Sequence, residues 1–437
     1  MKNILRKHKH SMTVVGIITV IMMLTNCTRH DKCINCPPPP ARAANTDTLI
    51  SSRGTPTIKG QYGASDFGVW DGTIGSEWVS APALTINAVV PNLGNGNFAG
   101  YVGNATNVTL QSMYDANYIY FLVQFNTDQK NVKSTPWYFD TTQTDMTKRW
   151  AQESTVPVMN SDGYTFRKPF QQDGFAFMFN VSDALFNAQS CYAVCHVNSA
   201  YGGTVTPAGG EMYTMGPTER TDIWRARMLQ VASMNQANDC FLDDGSAQGQ
   251  GSNLNILGLN NDVLFNDGDG LPNNMQTLTI SGPGTFTTNS TEVVPLWVIP
   301  SGTYTNSAIL AKDTSTGGVA RKVIAVDSNG VLTLAGGGTI DPRSGIDYKQ
   351  VGTNDGAKCP PGIIVGSYTS NRNDITCNAA YVGSSWRMLF KRKLKTNDLV
   401  NDVDFSSLGN QPFGIGAFFD GADNEHAITT GLILHFK

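Results

Sequence analysis

Phe175, Phe177, Phe179 and Val181 alternate along the chain, and the same two-residue period returns at Trp386, Met388, Phe390, Arg392 and Leu394 and at Ile415, Ala417 and Phe419. A period of two puts every second side chain on one face of an extended chain, which suits a strand and not a helix. Val108, Leu110 and Ser112 alternate as well, whereas Ile119 to Val123 runs unbroken, the pattern of a strand buried on both faces. Asp327-Ser328-Asn329-Gly330 between Lys322–Val326 and Val331–Leu334 reads as a hairpin turn, and a last strand falls near Leu432–Phe436. The expected fold is all-β: an antiparallel β-sandwich with long loop insertions and one or two short helices. The clearest helix signal starts at Thr221 or Asp222 as cap, with Trp224, Met228, Val231 and Ala232 on one face.

The 437 residues, 40% of them hydrophobic, are ample for a large core. Four segments are expected: a signal peptide over 1–26, a Pro-rich leader over 27–64, one sandwich domain over 65–437, and within it a surface insertion over about 245–350. The run Pro37–Pro40 makes a short stiff spacer in the leader. Asn266-Asp267-Gly268-Asp269-Gly270, in the insertion, lacks the ligand spacing and the terminal Glu of a calcium loop.

A basic start, Lys2 to Lys9, precedes a largely apolar run from Met12 to Leu24, too short to span a bilayer and typical of an export signal. The run ends in Leu24-Thr25-Asn26-Cys27, which resembles a bacterial lipobox and makes Cys27 the expected lipidation site. The alternative is an ordinary secretory signal cut nearby. The mature protein is then expected outside the cytoplasm, in the cell envelope, tethered to a membrane through lipid and facing the periplasm or the cell surface. Processing removes Lys2, Arg6, Lys7 and Lys9 from the 31 basic residues and none of the 35 acidic ones. The remainder carries no basic block, so no nucleic-acid partner is expected.

The stretch that carries chemistry is Cys191-Tyr192-Ala193-Val194-Cys195-His196. Covalent haem attachment needs two thiols to meet the two vinyl groups and an imidazole directly after the second thiol to reach the iron. The spacing here is C-x-x-x-C-H, one residue wider than usual. Past the leader only His196, His426 and His435 remain, so a His directly behind a Cys pair is improbable by chance. Cys191 and Cys195 are the candidate attachment residues for one haem c, and His196 is the candidate proximal ligand. A Cys191–Cys195 disulfide is the rival reading in an oxidising compartment.

Taken in order, further pieces resemble the ethylbenzene-dehydrogenase-related haem-binding domains. These include the haem subunits of dimethyl-sulfoxide-reductase-type molybdoenzymes and related periplasmic c-type cytochromes. The pieces are Val69-Trp70-Asp71-Gly72 with Trp78 and Ala81-Pro82, Tyr114-Asp115 through Val123, Asp173-Gly174 through Phe179, the Cys191–His196 stretch, and Thr221-Asp222-Ile223-Trp224. They continue through Gly362–Val365, Arg372–Ile375, Trp386–Phe390 and Pro412–Gly416. The resemblance implies a sandwich related to carbohydrate-binding modules, with haem held among its loops. It departs after Trp224, where Arg225-Ala226-Arg227 replaces the His and Trp-Lys pair often found in the family.

For the distal ligand, His426 is the first candidate, and the thioethers of Met212 and Met215 are the alternatives. His435 reads as solvent-facing on a terminal strand. The seven Trp are read first as core or wall; a glycan site at Trp137 and Trp150 ranks below that. Arg149, Arg225 and Arg227 are candidate propionate partners, ranked below plain surface residues. Cys359 and Cys377 are a candidate bridge, and Cys33, Cys36 and Cys240 have no assigned role. The function expected is one-electron transfer with a redox partner protein at the envelope, by a protein that is not itself an enzyme but serves as an electron carrier or as an accessory haem subunit of an oxidoreductase. The alternative is a haem-free surface module for glycan or protein.

Overall fold

The computed structural model describes residues 47–91, 102–128, 130–132, 135–140, 143–152, 158–160, 163–165, 172–189, 194–196, 211–212, 214, 216–243, 259–261, 273–282, 290–300, 309–343, 360–419 and 426–437. The fold is all-β. Its main sheet has twelve strands: β1 (Thr48–Arg53), β2 (Leu84–Val89), β3 (Ala105–Tyr114), β4 (Tyr118–Asn126), β5 (Gly174–Asn180), β6 (Thr221–Arg227), β7 (Asn238–Leu242), β8 (Leu259–Asn261), β9 (Thr376–Tyr381), β10 (Ser385–Lys393), β11 (Gln411–Phe418) and β12 (Ala427–Phe436). The order is β8-β7-β6-β5-β11-β12-β1-β3-β4-β10-β9, with β2 paired to both β12 and β3. Every pairing is antiparallel except those of β1, which lies parallel to both neighbours.

β4 and β5 are far apart in that order, yet Phe121 and Phe177 have ring centroids 4.7 Å apart, and Phe121 lies 5.7 Å from Trp224 on β6. The sheet therefore rolls over and packs its two halves face to face, which is the sandwich. Its core holds the inward residues of each alternating row: Phe175, Phe177 and Phe179; Trp386, Met388 and Phe390; Phe413, Ile415 and Ala417. The unbroken run on β4 has its explanation on the other face. Tyr120 and Leu122 pack there with Trp78, Ala81, Met113 and Leu389, so residues of both parities are buried.

The expected helix differs. Residues 221–227 are a strand, β6, buried between β5 and β7, and only Met228–Met234 (α2) is helical. Both faces of β6 are covered, so its apolar and polar residues lose their period of two, and Trp224 with Met228 and Val231 mimics a helical face. α2 ends at Asn235, whose φ of 54° stops the turn. A shorter helix, α1 (Phe186–Gln189), precedes the cysteine stretch. No helix among the described residues is long and apolar enough to cross a membrane.

A second sheet follows the order Thr291–Val294, Gln276–Ser281, Arg321–Asp327, Leu332–Leu334, Thr339–Ile340, with Trp297–Val298 also on Arg321–Asp327. It has its own core of Ile280, Val294, Val298, Val323, Val326, Leu332, Leu334 and Ile340, shared with Trp137, Phe139 and Trp150. The expected hairpin is there: Asp327 accepts the N–H groups of Asn329 and Val331, and Gly330 takes φ 81°. The sheet thus draws on residues 276–340, inside the expected insertion.

Candidate functional site

β5 ends at Asn180, and the chain turns through Asp183 into α1, whose Phe186 is buried in the main core. Asp183 Oδ1 accepts the Leu185 N–H at 2.8 Å. Burial, with Glu219 nearby, pushes the Asp183 carboxyl above its ordinary range. Cys191, Tyr192 and Ala193 lie outside the described residues. Val194 is fully buried in the main core, and it fixes the cysteine stretch to the wall of the sandwich. Cys195–His196 then forms a two-residue strand antiparallel to Glu211–Met212. Cys195 is opposite Met212 and His196 opposite Glu211. Two residues beyond Met212, the Thr214 N–H donates to the Asp243 carbonyl at 2.8 Å, just past the end of β7. Met215 and Cys27 lie outside the described residues, as do Cys33, Cys36 and Cys359.

Backbone register orders these pieces. Leu242 pairs with Thr221, and Thr221 pairs with Asn180, so Thr214 is anchored at the Asn180 end of β5. His426 sits at the other end. It leads into Ala427, which pairs with Ala417, next to the Phe418–Gly174 pair. Its ring centroid is 4.8 Å from that of Phe418, and its Cδ2 lies 3.0 Å from where a Cβ on Gly416 would stand. β5 is seven residues long, about 20 Å from end to end. The first-ranked distal candidate and the cysteine stretch are therefore associated with opposite ends of one strand, whereas Met212 is a register neighbour of Cys195.

His435 is exposed and its Nδ1 lies 2.7 Å from Asn410 Oδ1. Trp137 and Trp150 are buried, with indole N–H groups donated to the Asn274 and Gly330 carbonyls. Arg149 packs beside the second sheet, where it donates to the Ser328 carbonyl and lies over the Phe139 ring. Cys377 is a buried thiol, not half of a bridge, and burial pushes its pKa well up.

A feature the motif search missed is a buried charge cluster. Arg392 on β10 meets three carboxylates: Asp222 of β6 at 2.9 Å, Asp239 of β7 at 3.5 Å and Asp402 at 2.7 Å. All four side chains are essentially without solvent exposure. The guanidinium also lies over Trp224, 5.1 Å from its ring centre. Burial raises the Asp222 pKa, against the pull of Arg392 and with the push of Asp402, to about 7. Burial alone would lower the Arg392 pKa, but the three carboxylates outweigh it and raise it. The signal was in the sequence: Arg392 is the polar member of an otherwise apolar alternating row.

The model of the ethylbenzene dehydrogenase family matches residues 75–430. The chain belongs to the ethylbenzene dehydrogenase family. Comparison with curated proteins finds no match. Membership corrects one expectation. The sequence predicts a protein that is not itself an enzyme, but the family that claims most of its length is named for a dehydrogenase, so an oxidoreductase setting replaces that expectation.

Several polar residues of the pieces that resemble the ethylbenzene dehydrogenase family hold the scaffold together. Asp115 accepts from the Asn117 and Tyr118 N–H groups and from the Tyr120 hydroxyl. Asp173 Oδ2 accepts the Trp386 indole N–H at 2.7 Å and the Asn131 N–H at 3.0 Å. Asp222 accepts the Val403 N–H besides pairing with Arg392. None of these scaffold roles falls on Cys191–His196.

Proposed function

We propose that this member of the ethylbenzene dehydrogenase family is the haem-carrying electron-transfer part of an oxidoreductase, exported and held at the cell envelope by lipid on Cys27. Cys191 and Cys195 would hold a single haem c through their sulfurs, and His196 would be its proximal ligand. The observation that carries this reading is the seating of the stretch. A thiol–thiol–imidazole sequence is fastened to the sandwich core through Val194, with a thioether residue, Met212, opposite Cys195. That donor set fits covalent haem, since it offers two attachment sulfurs and both a nitrogen and a sulfur ligand.

Bound there, the group supplies one-electron exchange with a redox partner protein. The chain's own residues do the rest. Val194 and Phe186 exclude water from the core side, and the Glu211–Met212 strand holds Cys195–His196 extended. Met212, nearer in register to the cysteine stretch than His426, would be the candidate second ligand, and a thioether in that role would favour a higher potential.

A visible spectrum of the full-length protein made in a haem-maturing host tests the reading. The expected result is a strong Soret band that survives acid-acetone extraction. A colourless protein of unmodified mass would overturn it. Met212→Ala is expected to change the reduced spectrum and lower the potential, while His426→Ala leaves both as they were. The reverse pattern would return the distal role to His426.

A further inference from the structure

The Arg392 cluster lies outside the cysteine stretch, and the proposed electron-transfer role makes no use of it. It joins four backbone segments at one point: β6 through Asp222, β7 through Asp239, β10 through Arg392 and the 394–405 connection through Asp402. The connection is tied to the rest of the fold at several points, Leu394 N–H to the Asn117 carbonyl and Asn371 Nδ2 to Asp398 Oδ2 among them. Val403 N–H donates to Asp222 Oδ2 at 3.0 Å, Phe405 N–H donates to the Leu394 carbonyl at 2.8 Å, and Arg220 Nε donates to Asn401 Oδ1 at 3.2 Å. Val403 and Phe405 are buried in the main core, but Leu399 and Val400 at the tip are 63% and 64% exposed.

One guanidinium serves three carboxylates. Fully ionised, the cluster would bury two surplus negative charges, which is costly even after relaxation. The cheapest relief is a proton on one carboxyl. We propose that the cluster is an acid-tightened latch: a proton held on Asp222, against Arg392 and its two other carboxylates, fastens the 394–405 connection onto β6 and β7, and loss of that proton loosens it.

The charged surroundings agree. Asp222 is acted on by Arg392 from β10 and by Asp402 from the connection, and Asp239 meets the same guanidinium from β7. Further out, Asp374 feels Asp402, Asp398, Arg392 and Lys393 and is itself raised, burial first. Lys393 is exposed, and Lys395 is engaged with Asp404 at 2.7 Å. Arg372 donates to Asn238, beside Asp239. Burial lifts the Asp222 carboxyl, and its Oδ2 serves both Arg392 and the connection's backbone, so a proton on its Oδ1 leaves both contacts in place.

When the connection lifts, Asp222 meets water, returns to ordinary carboxylate behaviour and releases the proton. Opening is thereby favoured as pH rises from the carboxylate range toward neutrality and levels off above it.

The test uses the full-length protein. Infrared difference spectra between about pH 5 and about pH 8 are expected to show a buried protonated carboxyl that disappears at the higher pH, and Asp222→Asn is expected to lack it. Hydrogen exchange of peptides covering 394–405, corrected for the intrinsic rate, is expected to lose protection by up to about tenfold per pH unit across that window. In Asp222→Asn the same peptides are expected to show no slope. The proposal fails if wild-type protein shows no protonated carboxyl at the lower pH, if its protection is flat with pH, or if the slope survives in Asp222→Asn. Should that variant not fold, the two wild-type measurements decide alone.

Discussion

The Trp386 indole N–H, donated to Asp173 Oδ2 at 2.7 Å, joins β10 to the start of β5 inside the core. Trp386→Phe keeps most of the ring and removes the donor, leaving a fully buried carboxylate short of one charge-assisted bond. The expected loss is about 1.5–3 kcal/mol in urea unfolding. Arg392→Met removes the cation from three buried carboxylates, with an expected loss of about 3–5 kcal/mol by the same measurement. Adding Asp222→Leu should recover part of that, because a buried charge left unpaired costs more than an apolar replacement. The pH dependence has a definite sign. Asp222 is raised from 3.8 to about 7 by burial, so its contribution to stability is fully present below about pH 4 and is lost as pH rises to about 7. Urea midpoints measured across that range are expected to fall with rising pH in the wild type and less steeply in Asp222→Asn. Arg392 was legible as an odd polar member of an apolar row, but its three partners were not. They come from strands and a connection brought together only by the tertiary fold.

Strands whose large apolar residues alternate declared themselves through their period, and β5, β10 and β11 lie where Phe175, Trp386 and Ile415 begin their rows. β4, covered on both faces, showed as an unbroken apolar run, whereas β6, covered likewise, did not show as a strand. β6 read as the start of a helix, since burial on both sides erased the alternation and left Trp224, Met228 and Val231 at helical spacing. β1 was silent for another reason: it has only Leu49 and Ile50 as large apolar residues, and its Ser51 is buried beside Ser112, 2.9 Å between hydroxyls. The second-sheet hairpin, in contrast, was written in its turn. Gly330 takes φ 81°, and a Cβ there would collide with the Phe139 ring. Gly330→Ala therefore combines backbone strain with a ring displacement and is expected to cost about 1–3 kcal/mol. Trp150 fluorescence reads it directly, since its indole donates to the Gly330 carbonyl. The cysteine stretch was the most legible part of the candidate site, and Met212 as its register partner was the least, because a two-residue pairing across fourteen intervening positions has no sequence period.

Across the whole molecule, the main core and the second-sheet core form separate apolar clusters. Two cores with few shared side chains need not melt together. Calorimetry is expected to show two transitions, with Val323→Ala lowering the one that belongs to the second sheet and Phe177→Ala lowering the other; a single transition moved by both would join them. The family match spans 75–430, so it covers the second core and most of the main one, yet begins after β1. β1 is nonetheless the strand wedged between β12 and β3, hydrogen-bonded on both sides. A shortened protein starting at residue 65 would carry a slot one strand wide, lined by two unmet ladders. Such a slot invites donor-strand exchange: a synthetic peptide of sequence Thr48–Arg53 would dock in it, and in the peptide's absence a neighbouring molecule's free edge would compete for the same groove.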